Sequence, residues 1–427
     1  MSTKTTRKLN GRTPIYTNLE VNRANLGQIL KDSFHVHLKN EDEITYLFDY
    51  VKGKQPILNK VKVIRPEINN IVLKNHALQI IDFHTGNTFA QPIQYVQAID
   101  TPKDDNRIPQ EPSYISELNR TMREIHKATK DRELGEHMFV CGTGYRIIIP
   151  GRNPNGYTPF VTDILNPRKT FVVYKDDVGR EPVLGVTYSK HYVTENLTTV
   201  LDLTVYSKNK SWKVKFTPYS DEIEIIEEKS HILGAVPIIE YPLNPNRLGQ
   251  FEPVISILDA INILESNRVD GVEQFVQALM KFKNCSVDKA TMNEIAELGA
   301  VEIKSSGEND ADVTLMSLEL DQSQVQQLID NLYQSVLTIA NVPDRNFSSG
   351  GNTGQALVIG QGWTSANNTA ESVELMFKQS EFRFLNILLT ILRIRGSEDY
   401  GFADEVKLRE IGVKFTRSKT YNLQTKT

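Results

Sequence analysis

The segment EPVISILDAINILESNRVDGVEQFVQAL, Glu252–Leu279, decides the fold that we expect for this chain. Its apolar residues recur every three or four positions, which is the spacing of one face of an α-helix. Pro253 suits a first helical turn, because the backbone N–H that it lacks would have no partner there. The segment therefore predicts an amphipathic helix of about 29 residues, roughly 44 Å long.

A polar stripe runs along the opposite side of this helix. Its members follow one another in steps of three and four: Asp259, Asn262, Ser266, Asp270, Glu273 and Gln277. A second amphipathic helix is predicted from near Asp321, with Gln324 as its capping partner, to Pro343. One hairpin of two such helices cannot bury both apolar faces, so we expect neighbouring protein to cover them.

An acidic insert, residues 283–321, separates the two helices. Its pattern predicts a helix over 288–298 and strands over 301–305 and 311–320. Its carboxylates include Glu302, Glu308, Asp310 and Asp312. Such a surface repels DNA phosphates and attracts basic partners. One alternative stays open, in which the charge only keeps an exposed hairpin in solution.

Residues 136–241 change to a strand pattern. Short segments rich in β-branched and aromatic residues alternate with turn residues there: 145–149, 160–164, 170–174, 185–188, 198–206, 212–216 and 223–227. They predict a β-rich lobe. Helices are predicted before it, over 22–33, 41–51, most of 60–83, and 113–129 after a proline- and charge-rich linker.

A third long helix is predicted over 353–395. Apolar residues such as Trp363, Phe377 and Phe384 repeat there with a period of seven, which usually indicates a coiled-coil seam. The flanking positions lack ordered charge pairs, and Gly360 and Gly362 each cost about 1 kcal/mol inside a helix. We therefore prefer a helix that packs across the subunit and is kinked near these glycines.

Composition excludes several classes of protein. The chain has 427 residues and a formal net charge of −4, so it lacks the overall basic character of proteins that grip duplex DNA. No apolar run reaches the roughly 18 residues of a membrane span. Cys141 and Cys285 match no metal or redox spacing, which is typical of a protein made in a reducing cytosol.

The sequence holds no convincing enzyme motif. Residues 350–354 are glycine-rich, but no lysine follows to reach a nucleotide phosphate. His35 and His37, expected on one side of a strand, lack the converging ligands of a metal site. The paired carboxylates at 104–105 and 176–177 have a simpler explanation as turn residues. We therefore predict no catalytic residue, no cofactor and no bound metal.

Several segments of the chain resemble the portal proteins of tailed double-stranded-DNA phages. These are YVKGKQPIL at Tyr50–Leu58, INNIVLKNHALQIIDFHTGNTFAQPIQY at Ile68–Tyr95, Pro237–Glu240 followed by Asn244, and Leu248–Phe275. The resemblance extends from about Tyr46 to the C-terminus and rests on the order of the pieces. It implies an α+β subunit of a ring, typically dodecameric, at a capsid vertex through which DNA is packaged and ejected.

The portal plan implies a division of the chain. It consists of an N-terminal arm 1–45, wing 46–240, first stem helix 241–282, clip 283–321, second stem helix 322–343, tunnel loop 344–352, long wing helix 353–396 and start of the crown 397–427. A helical crown normally follows in the family, so we expect either a very short crown or a truncated sequence.

The resemblance also implies roles for surfaces of the subunit. The polar stripe of the first helix would line the channel, and its charge would let the phosphates of the duplex slide past. The tunnel loop would project into the channel: Asp344, Arg345, Asn346, Phe347, Ser348, Ser349, Gly350 and Gly351. A plain surface connector is the alternative for this loop.

Partners follow from the same resemblance. The clip would dock the large subunit of the terminase and later a head–tail adaptor, with scaffold and major capsid protein around the wing. The location implied is the virion, after assembly in the host cytoplasm, with no membrane association. A scaffolding or coiled-coil assembly protein explains the seven-residue period but not the β-rich lobe. A DNA-packaging enzyme lacks the phosphate loop that it needs.

Overall fold

The structure, a computed structural model, describes residues 11–98, 113–152, 158–193, 198–218, 222–276, 279–283, 312–316, 322–344, 362–395 and 400–417. The contacts among its residues divide the chain into two compact units. Unit 1 comprises Met1–Lys54, Asn75–Ser256 and Leu337–Thr427, and unit 2 comprises Gln55–Lys74 and Ile257–Val336.

Helices and strands are mixed along the described residues, in agreement with the predicted α+β class. The strands are β1 (Ile15–Thr17), β2 (Gln94–Gln97), β3 (Thr143–Pro150), β4 (Phe160–Leu165), β5 (Thr170–Lys175), β6 (Pro182–Val193), β7 (Thr198–Tyr206), β8 (Lys210–Thr217), β9 (Glu222–Ser230), β10 (Ile238–Pro242), β11 (Leu279–Lys283), β12 (Asp312–Met316) and β13 (Ile411–Lys414). The helices are α1 (Leu26–Val51), α2 (His76–Thr88), α3 (Ser113–Glu124), α4 (Lys127–Cys141), α5 (Ile255–Val276), α6 (Gln322–Ile339), α7 (Trp363–Arg395) and α8 (Phe402–Glu405).

In the described residues, the predicted β-rich lobe of unit 1 consists of two sheets. The larger has the order β1-β5-β6-β7-β8-β9, and the smaller has the order β10-β3-β4. Each of the seven predicted strands coincides with a strand, and the first two belong to the smaller sheet. A separate antiparallel pair joins β13 to β2. Strand propensity located the segments, but it carries no information about which strands pair.

The segment predicted to be an N-terminal arm is instead part of the core of unit 1, as far as it is described. Strand β1 pairs in parallel with β5. Helix α1 continues unbroken from Leu26 to Val51, so the separate helices predicted at 22–33 and 41–51 are one. Its apolar side chains pack on the larger sheet, where the rings of Phe34 and Phe216 lie 4.8 Å apart. His35 and His37 lie on this helix, which corrects the predicted strand.

Two other helical predictions are wrong in extent. The helix predicted within 60–83 begins only at His76, since Arg65 has a φ of 54° and Pro66 follows it. The helix predicted over 113–129 is broken at His126, whose φ of 53° separates α3 from α4. Apolar spacing alone does not reveal left-handed residues such as His126, which interrupts a helix without a proline or glycine.

Unit 2 contains most of α5 and α6. Helix α5 ends at Val276, so the predicted helix is too long at its C-terminal end, where Leu279 begins β11. Strand β11 pairs antiparallel with β12, from Leu279 opposite Met316 to Lys283 opposite Asp312. The predicted insert elements at 288–298 and 301–305 lie outside the described residues. Helix α6 begins at Gln322, next to the predicted start.

Candidate functional site

The polar stripe of α5 is covered by another part of unit 2. Asn262 and Ser266 are fully buried and Asp270 is 3 % exposed. Backbone N–H groups two residues apart donate to α5 side chains four residues apart: Lys74 to Asn262 (2.8 Å), Val72 to Ser266 (2.9 Å) and Asn70 to Asp270 (2.6 Å). We refer to Lys60–Lys74 as the 60–74 segment.

The spacing of these hydrogen bonds has a geometric cause. Two residues of extended chain advance about 6.6 Å, and four residues of α-helix advance about 6 Å. The two repeats match closely enough for several successive bonds. The 60–74 segment therefore finds along α5 the acceptors that a neighbouring strand would otherwise supply.

Asp270 is the charged centre of this contact. Its Oδ2 accepts from Lys60 Nζ at 2.8 Å and from Lys62 Nζ at 3.4 Å. Its Oδ1 accepts from the backbone and the side-chain amide of Asn70. Burial alone would raise the pKa of the Asp270 carboxyl, but the hydrogen bonds from Lys60 and Asn70 outweigh it and lower the pKa to about 2. The carboxylate is thus charged at neutral pH, and its charge is balanced within the chain.

These contacts reduce the number of stripe residues that could line a channel. Three of its side chains face the chain's own 60–74 segment, and Glu273 accepts from Asn70 Nδ2 at 2.6 Å. Asp259 is half-buried, and Gln277 lies outside the described residues. One subunit does not test which surface lines a channel, so that role stays a prediction. The other carboxylates of this stripe are Asp259 and Glu273.

Of the predicted tunnel loop, the structure describes Asp344. Residues Arg345–Gly351 lie outside the described residues. The chain ends that flank residues 345–361 lie together in unit 1. The Ser365 hydroxyl donates to the Asn341 side chain, and a Cβ added at Gly362 would lie 3.8 Å from Cα of Pro343. The described residues on either side of 345–361 are therefore close together in unit 1.

The last turn of α6 is fixed at this place through the carbonyl of Ala340. It accepts from His84 Nε2 at 2.8 Å and from Gln250 Nε2 at 3.1 Å. Burial lowers the pKa of His84 to about 4, so the imidazole is neutral at physiological pH. Its Nε2 must carry the proton, since a carbonyl only accepts. Phe83 adds a ring contact with Trp363, with centroids 5.9 Å apart.

The acidic insert is described only in part. Asp312 is the first residue of β12, and Glu302, Glu308 and Asp310 lie outside the described residues. The docking role of these residues stays a prediction.

A buried charge cluster in unit 1 escaped the sequence analysis. It consists of two cations and two anions from α4, β3 and α7: Lys127, Asp131, Arg146 and Glu381. Lys127 Nζ lies 2.9 Å from Glu381, and Arg146 Nη1 lies 3.2 Å from it. Although burial opposes ionisation, these two charges hold the pKa of Glu381 well below its usual range. Glu381 is thus an anion that ties α7 to α4 and β3.

The sequence held a weak signal of buried polar partners next to this cluster. Ser380 interrupts an otherwise apolar column of α7, and its hydroxyl donates to the Glu240 carbonyl oxygen at 2.7 Å. Glu240 is itself buried and bound by Arg247. A polar residue in an apolar column therefore indicated a buried polar partner, although nothing in the sequence identified it.

Among the described residues, no group of three His, Cys, Asp or Glu side chains is placed to hold a metal ion. The helices within those residues include none with the length and apolar character of a membrane span.

The family of this chain follows from comparison with known proteins. No curated protein matches the chain significantly. The family model described as phage portal protein, SPP1 Gp6-like, matches residues 30–426, which covers both units almost completely. The chain therefore belongs to the SPP1 Gp6-like family of phage portal proteins.

Proposed function

We propose that this chain is the subunit of a ring that forms the DNA channel at one vertex of a phage capsid. The observation that carries the proposal is the family match over residues 30–426. That family is structural rather than enzymatic and implies a homo-oligomeric ring in a phage capsid. The channel, a dodecameric ring and the docking of a terminase belong to the proposal.

In this proposal α5 and α6 are the stem, and their role is passive. A duplex carries one negative charge about every 1.7 Å, so a strongly basic wall would bind it and stall it. Lys60 and Lys62 are both paired with Asp270, so they offer no free cation to a phosphate. This balance supports a channel wall that lets DNA pass.

The tunnel loop has the second role in the proposal. Its flanks are joined by the contacts of Asn341 with Ser365, so the loop would project from a fixed base. Arg345 and Asn346 would approach phosphates transiently, and Phe347 would pack on the neighbouring loop. The clip would dock the terminase large subunit and later the head–tail adaptor, with scaffold and major capsid protein around the wing.

An observation in unit 1 weighs against a coiled-coil scaffold. The seven-residue period of α7 is occupied within the unit, where Phe377 and Phe384 are fully buried. Phe377 packs on Tyr241, with ring centroids 4.8 Å apart. No second helix from another chain is needed to explain the pattern.

Negative-stain imaging of the purified chain tests the proposal. Rings with a central channel are the expected result, whereas rods or small open oligomers would favour a scaffold. An ATP hydrolysis assay on the same sample tests the packaging-enzyme alternative. Turnover above that of a buffer control would overturn the structural role.

A further inference from the structure

The exposed side of residues 61–64, at the start of the 60–74 segment, is apolar. Val61, Val63 and Ile64 are 84 %, 91 % and 78 % exposed. Lys60 and Lys62 alternate with the two valines, yet their ammonium groups turn inward to Asp270. A soluble surface usually shows the reverse arrangement, with charge outward and β-branched residues inward. This inverted alternation places the three aliphatic side chains in water unless another protein covers them.

Internal contacts hold the segment in this orientation. Lys60 Nζ also donates to the Asn70 carbonyl at 3.2 Å, and Lys62 Nζ donates to the Ile68 carbonyl at 3.0 Å. The turn between them passes through Arg65, whose φ is 54°. Turning the valines inward would separate both lysines from a buried carboxylate and leave its charge uncompensated. The exposed apolar side is therefore a fixed property of the fold.

We propose that Val61, Val63 and Ile64, the apolar strip, bind the neighbouring copy of this chain. The proposal rests on the ring of the proposed function. In a ring each interface joins two different surfaces, so every subunit needs one surface to offer and another to receive. Unit 2 has exposed apolar side chains on its helices as well, Val272 on α5 and Leu328 on α6. The neighbour's helices provide the receiving surface.

The chemistry of the strip disfavours a nucleic acid as its occupant. Phosphate recognition needs cations that point outward, whereas Lys60 and Lys62 point to Asp270 and Lys74 pairs with Glu265. A contiguous group of exposed aliphatic side chains marks a protein interface, whereas a single exposed one does not. A second copy has the required apolar surface, and in a ring it is always next to the strip.

The test replaces the three strip residues together, as V61S, V63S and I64S. Each side chain loses most of its apolar surface, so we expect ring assembly to require at least ~100-fold more protein. Native mass spectrometry and negative-stain imaging measure assembly, and circular dichroism checks that the monomer is folded. Val178→Ser is the matched control, since Val178 is a fully exposed aliphatic residue of unit 1. The control variant should assemble like the wild type.

A cross-linking experiment addresses the contact directly. Cys141 and Cys285 are first replaced by serine. Val63→Cys is then combined with Val272→Cys or with Leu328→Cys, and the rings are oxidised with copper phenanthroline. A ladder of covalent oligomers with at least one pair is expected, with none for Val63→Cys alone or combined with Val178→Cys.

The outcomes separate the two proposals. Wild-type protein that forms no rings would contradict the proposed function. Wild-type rings, together with normal rings of the serine variant and no ladder from either pair, would overturn the strip contact while leaving the proposed function intact. If the serine variant forms normal rings but no longer binds another protein, the proposed contact between copies would also be overturned.

Discussion

The backbone N–H of Asn70 donates to Oδ1 of Asp270 at 2.6 Å, although the two residues are 200 positions apart in the chain. The carboxylate accepts two lysines as well. It therefore fixes the path of the 60–74 segment rather than presenting a free charge. The same residues that the sequence indicated as a channel wall are thus the acceptors that hold the segment on α5.

The first prediction concerns this carboxylate. Replacing Asp270 with Asn removes the charge that balances Lys60 and Lys62, so the 60–74 segment should detach more often. Hydrogen exchange should accelerate at the backbone N–H groups of Asn70 and Val72. Asn267→Ala on the exposed side of α5 is the control and should leave these rates unchanged. Equal protection in D270N would show that the neutral hydrogen bonds suffice.

The second prediction concerns the buried charge cluster of unit 1. Glu381→Gln leaves Lys127 and Arg146 with Asp131 as their remaining cluster anion, and it should lower the free energy of unfolding by about 3–5 kcal/mol. Chemical denaturation measures the change. Glu371→Gln on the same helix removes an exposed pair with Arg417 and should cost less than about 1 kcal/mol. Similar losses in both variants would contradict the cluster's role.

The third prediction is a dependence of stability on pH. Burial lowers the pKa of His37 to about 3 and those of His84 and His137 to about 4. These histidines take up protons on unfolding below their ordinary pKa of about 6.5, so stability should fall as the pH drops from 6.5 towards 4. Each contributes a slope of up to about 1.4 kcal/mol per pH unit.

His84→Gln tests one of these contributions. It removes one titrating group but keeps a donor for the Ala340 carbonyl, so the slope between pH 6.5 and 4 should become shallower. The melting temperature against pH gives the slope. His35→Gln is the control, because His35 is exposed on α1. An unchanged slope in H84Q would mean that His84 does not contribute.

The fourth prediction concerns the base of the tunnel loop. Gly362 has a φ of 84°, so Gly362→Ala strains the backbone and should destabilise the flank by about 1 kcal/mol or more.

Deleting 348–351 should leave rings intact but let packaged DNA slip out. DNA retained per particle is the measurement. Full retention in the deletion variant would make the loop a plain connector.

The fifth prediction concerns the face of α5 that is predicted to line the channel. Asp259→Lys with Glu273→Lys changes the charge of α5 without touching Asp270, so rings should still form. If this face lines the channel, the added cations should slow DNA passage, most strongly at low salt, where screening is weak. Packaged DNA per particle measures passage. Wild-type filling at low salt would show that this face points elsewhere.

The sequence predicted those parts of the fold that depend on local pattern. The strands from β3 to β9, helix α6 and the central part of α5 follow from spacing and propensity. The covering of Asp270 by Asn70 does not, because the stripe looks the same whether water, DNA or the chain itself lies against it. The Glu381 cluster was equally hidden, since its partners come from distant segments.

Two residues of the 60–74 segment span about the same distance as four residues of α5, and this match constrains how sequences of this family can change length. An insertion of one residue after Val72 would move the N–H of Asn70 out of register with Asp270, because successive N–H groups of an extended chain point to opposite sides. An insertion of two residues is tolerated only if α5 grows by four. Insertions and deletions in these distant segments should therefore occur together among relatives, in the ratio of one extended residue to two helical ones.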